Sequence, residues 1–97
     1  MINITAAPNR ITAHGHAKDA AGCAAVSAIL YALAGGLENL SDPVKWLIEG
    51  GGAEIPIPDS ADAKAMRLMA EVGLRQLAAA RDDITISDVR ERPQEGL

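Results

Sequence analysis

Ninety-seven residues hold enough chain for one modest core, so the sequence reads as a single domain over 1–97. A net charge of −4 leaves no basic patch for a phosphate backbone, which argues against nucleic-acid binding, and one cysteine excludes an internal disulfide. Apolar residues make up 48% of the chain, yet Phe is absent and Trp and Tyr occur once each, so the core must be built from small aliphatic groups. A core of that kind buries little area per contact, and a homodimer is the expected way to add to it.

Ile2, Ile4 and Ala6 alternate with polar residues, as do Ile11 and Ala13, and Pro8-Asn9 lies between the two runs. This pattern predicts an N-terminal β-hairpin. Period 2 places His14 and His16 on one side of the second strand and Ile11, Ala13 and Gly15 on the other, so Gly15 has to twist or bulge the strand end if His16 is to face a helical layer. Val26, Ile29, Leu30, Leu33 and Leu37 recur at helical spacing and predict a first helix over 21–37, with Asp19 as N-cap candidate and Gly35-Gly36 weakening the last turn. Residues 44–49 and 53–58 read as short strands around Gly50-Gly51-Gly52, the second at a sheet edge because of Pro56 and Pro58. The glycine run has no lysine or strand–loop–helix context for phosphate and reads as a hairpin turn.

Asp59-Ser60 caps a second helix over 61–80. Met66, Met69, Ala70, Gly73 and Leu77 form its expected inner stripe, with Lys64, Arg67, Glu71 and Arg75 toward water. Ile84, Ile86 and Val89 alternate as a last strand, and residues 91–97 read as a flexible polar tail. The fold class is α+β, in the order ββ-α-ββ-α-β, with a mostly antiparallel sheet and two helices on one face. The uncharged run over 20–37 is long enough for a membrane span. Its Ala and Gly content partitions weakly into lipid, so a buried helix, no membrane and a cytoplasmic location are expected.

The only cysteine, Cys23, falls at the start of that helix, seven residues after His16. A helix N-terminus and a nearby imidazole both favour the thiolate, the nucleophilic form. On spacing alone, however, the ordinary reading of a lone cysteine is a small buried apolar group. His14, His16 and Cys23 also offer N and S ligands to zinc, with Asp19 or water as the fourth, but the paired ligand spacings of zinc sites are absent; no metal and no cofactor are expected.

The run Gly15-His16-Ala17, then Gly22-Cys23-Ala24-Ala25-Val26-Ser27-Ala28, then a helix closing on Gly36-Leu37-Glu38-Asn39-Leu40, resembles the ribosomal-processing cysteine protease (Prp) family. Residues 65–78 are similar to that family's second helix and 84–90 to its closing strand. The resemblance implies a cytoplasmic, dimeric endopeptidase that removes an N-terminal extension from a ribosomal protein, or, in prophage relatives, cuts capsid or scaffold proteins. By motif, Cys23 matches the nucleophile, His16 the base, Gly15 the glycine before it and Ser27 the serine one turn after the nucleophile. The chain departs from the pattern between these residues. Only six residues separate His16 from Cys23, a shorter connection than the family's, and Asp19 stands four rather than three before Cys23. The shortened version leans toward a phage-type member.

On this reading the N–H groups of Cys23 and Ala24, in the first helical turn, hold the oxyanion. Asp19 either orients the imidazole or only caps the helix. Ser27 supports the site or bonds only to the preceding turn. His14 stands as the alternative base. Tyr31 and Trp46 are assigned to the core or a dimer interface. Two rival classes remain, a catalytically inactive dimeric adaptor of the same fold and a metal-binding module.

Overall fold

Alternation along the first strands places Ile2, Ile4, Ala6, Ile11 and Ala13 in the core, while Asn3 and His14 are exposed on the opposite face. In our computed structural model, which describes residues 1–89, these runs are β1 (Ile2–Ala7) and β2 (Arg10–Gly15), paired so that Ile4 meets Ala13 and Ala6 meets Ile11. They are followed by α1 (Ala20–Leu40), β3 (Leu47–Glu49), β4 (Gly52–Pro56), α2 (Ala61–Ala80) and β5 (Ile84–Asp88). The strands form one sheet in the order β3-β4-β2-β1-β5, antiparallel throughout except for the parallel β1/β5 pair. This is the α+β, ββ-α-ββ-α-β arrangement expected from the sequence. The tail assigned to 91–97 lies outside the described residues.

Register carries the core across the sheet. Ala53 and Ile55 of β4 stand opposite Ala13 and Ile11, and Ile84 and Ile86 of β5 stand beside Ile2 and Ile4. Helix α1 lays Val26, Leu30, Leu33 and Leu37 on this face, and all four are buried. The helix is long and apolar enough to cross a membrane, but it is not buried all round as expected. Its outward residues Ala21, Ala24, Ala28 and Ala32 are exposed, so the uncharged run is an apolar stripe backed by small side chains. It also runs to Leu40, past Gly35-Gly36, before the Ser41 N–H closes the last turn on Leu37 O at 3.2 Å. Gly36 does not end the helix because it marks the approach of α2: a Cβ there would lie 2.8 Å from Met66 Sδ.

Three further expectations are corrected. The strand predicted over 44–49 begins only at Leu47, and Pro43 leaves the segment before it irregular. β4 is not an edge strand; β3 is, and it covers only Gly52–Glu54 of β4. The Ile57 N–H donates to Asn9 O at 2.8 Å, so by alternation residue 56 faces the other way, past the end of β3, and Pro56 costs no ladder bond. In α2 the deeply buried residues are Ala63, Ala70 and Leu74, whereas Met69 is 78% exposed. The helix is rotated so that a 63/67/70/74 row meets the sheet while Met66 and Gly73 meet α1. Arg67 and Glu71, expected in water, are therefore largely covered: Arg67 Nε donates to Ala7 O at 3.0 Å and its guanidinium pairs with Glu71 at 2.9 Å.

Leu37, an α1 side chain fully buried in the core, gives a direct test of this packing. Leu37→Ala should lower the unfolding free energy by about 2–5 kcal/mol, read by urea titration.

Candidate active site

The end of β2 is set by a residue that only glycine satisfies. Gly15 has φ +108°, and a Cβ at that position would come within 2.1 Å of Met1 O. Its N–H donates to Gly51 O at 3.0 Å. The reversal this allows is the twist the alternation required, and it brings His16 to the wall of a cavity on the helical side of the sheet. The imidazole rests against Gly51, which has φ +84°; a Cβ there would meet His16 Nε2 at 3.0 Å. The His16 carbonyl accepts from the Met1 amino group at 2.6 Å. His14 stays in register with Gly52 and is exposed, and it too lines the cavity that His16 and Cys23 border.

Helix α1 supplies the sulfur. Asp19 caps it, its Oδ1 accepting from the Gly22 N–H at 2.9 Å, and the helix begins at Ala20, one residue earlier than expected. Cys23 is therefore the fourth helical residue rather than an uncapped first-turn one. Its N–H bonds weakly to Asp19 O at 3.5 Å, and the Ala24 N–H belongs to the i→i−4 ladder. The expectation that these two amides are free to hold an oxyanion is thus corrected. Ala24 itself turns outward into solvent. The donor that does reach the thiol is one the sequence reading missed: the Ala17 N–H points at Cys23 Sγ at 3.3 Å.

Cys23 is half-buried. Cys23, Ser27 and Tyr31, spaced four apart along one face of α1, line a cavity of about 350 Å³ together with His16, Val26, Leu30, Ile48 and Gly50–Gly52. No hydrogen bond joins the His16 ring to Cys23 Sγ among the described residues; the two groups border the same space. The carboxylate of Asp19 is taken by Gly22 and by Arg81 (2.8 Å), which is the geometry of a cap. Tyr31 is not a core residue: it is 51% exposed and meets Trp46 edge-on at 6.0 Å, and the Trp46 indole N–H donates to Glu38 at 2.8 Å.

No family model matches the chain, and no curated protein matches it in sequence. Solved structures do. The S. aureus ribosomal processing protease Prp, in complex with a covalently linked product peptide, superposes with a TM-score of 0.83 at 18% identity, covering 92% of this chain and 100% of its own. The same protease with a substrate peptide gives 0.81 at 16% identity, with the same coverage. A hypothetical protein from Staphylococcus aureus gives 0.75 at 17%, again over 92% and 100% of the two chains. This chain has the Prp fold.

Within this Prp fold, the short link between His16 and Cys23 is held from the far end of the chain. Asp83, 6% exposed, accepts the Lys18 N–H at 2.8 Å and pairs with Arg81 through contacts of 2.9 and 3.0 Å. Arg81 reaches on to Asp19, and Lys18 Nζ to Asp82 at 2.6 Å. Gly22 is tiny for a reason: a Cβ there would meet Ala17 Cβ at 2.5 Å and Arg81 at 2.8 Å. The sequence signal for this cluster was the charged run Arg81-Asp82-Asp83 breaking abruptly from an alanine-rich helix end. For Gly51 the signal was the glycine triplet.

The guanidinium of Arg81 and then the Lys18 amide hold the Asp83 carboxyl far below the usual carboxylate range. The Gly22 amide and then Arg81 lower that of Asp19. A carboxylate depressed in the folded state stabilises it above the unfolded pKa, here the ordinary 3.8, and that contribution is lost as pH falls below this value. Urea unfolding should therefore show stability nearly flat above about pH 5 and falling below about pH 4, with Asp83→Asn weakening the dependence. Gly15→Ala should cost at least about 1 kcal/mol by the same assay.

Proposed function

We propose that this chain is a cysteine endopeptidase in which Cys23 is the nucleophile and His16 the general base. The observation that carries this reading is that thiol and imidazole border one open cavity at the mouth of α1. The same fold holds substrate and product peptides in the S. aureus Prp structures. Cys23 Sγ, its proton passed to His16, attacks the scissile carbonyl carbon. The C–N bond then breaks, and the protonated imidazole returns its proton to the leaving amine. Water, deprotonated by His16, hydrolyses the thioester and frees the carboxyl product.

The Ala17 N–H, the donor nearest the sulfur, stabilises negative charge there. Ser27, one turn further along the cavity wall, supports the site. An extended peptide fits along Cys23, Ser27 and Tyr31, beside the short edge strand β3. The substrate we favour is a ribosomal protein precursor, supported by the likeness to a ribosomal processing protease, with a phage structural precursor as the alternative client. The reading carries with it a cytoplasmic site of action, where a lone thiol stays reduced. It also carries a homodimer that covers the exposed Leu68, Met69 and Val72 of α2.

A catalytically inactive adaptor is the second reading, favoured by the missing His16–Cys23 hydrogen bond. Incubation with ribosomal and capsid precursors, followed by mass spectrometry, separates the two. The endopeptidase should release a single N-terminal fragment, Cys23→Ala should release none, and His16→Ala should be slower by about 10²-fold or more. Equal cleavage by wild type and Cys23→Ala would remove Cys23 from the mechanism, and no cleavage of any precursor would favour the adaptor.

A further inference from the structure

Asp83 is the one charged side chain in the buried core among the described residues, and it lies outside the cavity. Burying a carboxylate is costly unless charge and hydrogen bonds answer it. Here each answering group belongs to, or leads to, the link between His16 and Cys23. One carboxylate oxygen takes the Lys18 N–H, and both take Arg81. Arg81 then carries Asp19, whose other contact is the Gly22 N–H. The peptide preceding the Lys18 amide is the one whose N–H, that of Ala17, is aimed at Cys23 Sγ. On its other side the link is held by Met1 on the His16 carbonyl. The charged groups that face this link are thus Asp82, Asp83 and Arg81 from the α2–β5 corner, Lys18 and Asp19 from the link itself, and the Met1 amino group.

We propose that Asp83 is a positioning residue for Cys23. Acting through the Lys18 amide and the Arg81 guanidinium, its carboxylate holds residues 17–19 so that the Ala17 N–H meets the sulfur and Asp19 caps the helix that carries it. The proposal rests on the reading of Cys23 as a nucleophile. Asp83 touches neither substrate nor thiol; it fixes the two features that stabilise negative sulfur, an aimed amide and a capped helix start. Because the two parts of the pair act on the link together, Arg81→Lys, which keeps the charge but loses the two-pronged contact, should fall between wild type and Asp83→Asn.

The test is the rate of Cys23 alkylation by iodoacetamide in the full chain, measured at about pH 6.5 and about pH 9.5, with folding followed by circular dichroism. Wild type should react much faster at the lower pH than a free thiol; if it does not, the nucleophile reading fails whatever the variants do. Given a reactive wild type, Asp83→Asn should slow the reaction about tenfold or more at pH 6.5 and leave the rate at pH 9.5 unchanged, which separates loss of thiolate from loss of access. Arg81→Lys should give a smaller slowing of the same shape. Folded variants with the wild-type rate at both pH values would overturn the proposal. So would loss of native circular dichroism in both variants, because the pair would then serve the fold as a whole.

Discussion

A buried carboxylate answered on every side holds this molecule's two ends together. Asp83 sits at the start of β5, where its own carbonyl accepts the Ile2 N–H at 2.8 Å and begins the parallel pairing with β1. Its side chain meanwhile grips the segment between β2 and α1. One residue thus joins the sheet's register to the entry angle of the helix that carries the thiol. A buried ion pair is weak as a source of net stability, since desolvation offsets much of the attraction. What it supplies is geometry: removing either partner leaves the other with only part of its contacts, Arg81 with Asp19 and Asp83 with the Lys18 amide, which disfavours alternative packings of the corner. Glycine at 22 belongs to the same constraint, because the guanidinium lies where a side chain would be.

Much of the architecture was legible in the residues. Alternation in 2–6 and 11–13 defined the hairpin, apolar spacing defined both helices, and Asp19 and Ser60 sit where a capping side chain was expected, each accepting from an amide three residues on. Each of these signals is local. What escaped reading depended on where elements land. The α2 stripe was misassigned because that helix meets two surfaces, sheet and α1, and the rows facing each overlap at Ala70. Arg67 and Glu71 looked solvated because a charged residue's burial depends on a distant acceptor, here the Ala7 carbonyl. Pro56 suggested an edge, and the edge is real, but it exists only beyond the three residues of β3.

The candidate site divides along the same line. Cys23, His16 and Ser27 border one cavity, which His14 also lines, and Gly15 performs the reversal that period 2 demanded of it. The six-residue link brings His16 to the cavity that Cys23 borders because the strand end turns sharply and the helix starts early. The amide donors were misplaced for a reason of one residue: starting at Ala20 instead of 21 moves Cys23 into the helical ladder. The amide that reaches the sulfur comes from outside the helix, and no periodicity marks it. Gly51 was legible as a turn but not as a seat for the imidazole, since that role appears only when β4 is placed beside β2.

The contacts between Lys18 and Asp83 span 65 positions of sequence. During synthesis on a ribosome, the N-terminal hairpin and α1 emerge long before the corner that braces them. Until residue 83 leaves the exit tunnel, the Lys18 amide lacks the carboxylate to which it donates. The order of translation therefore leaves the link between β2 and α1 unbraced on this side until the α2–β5 corner has been made.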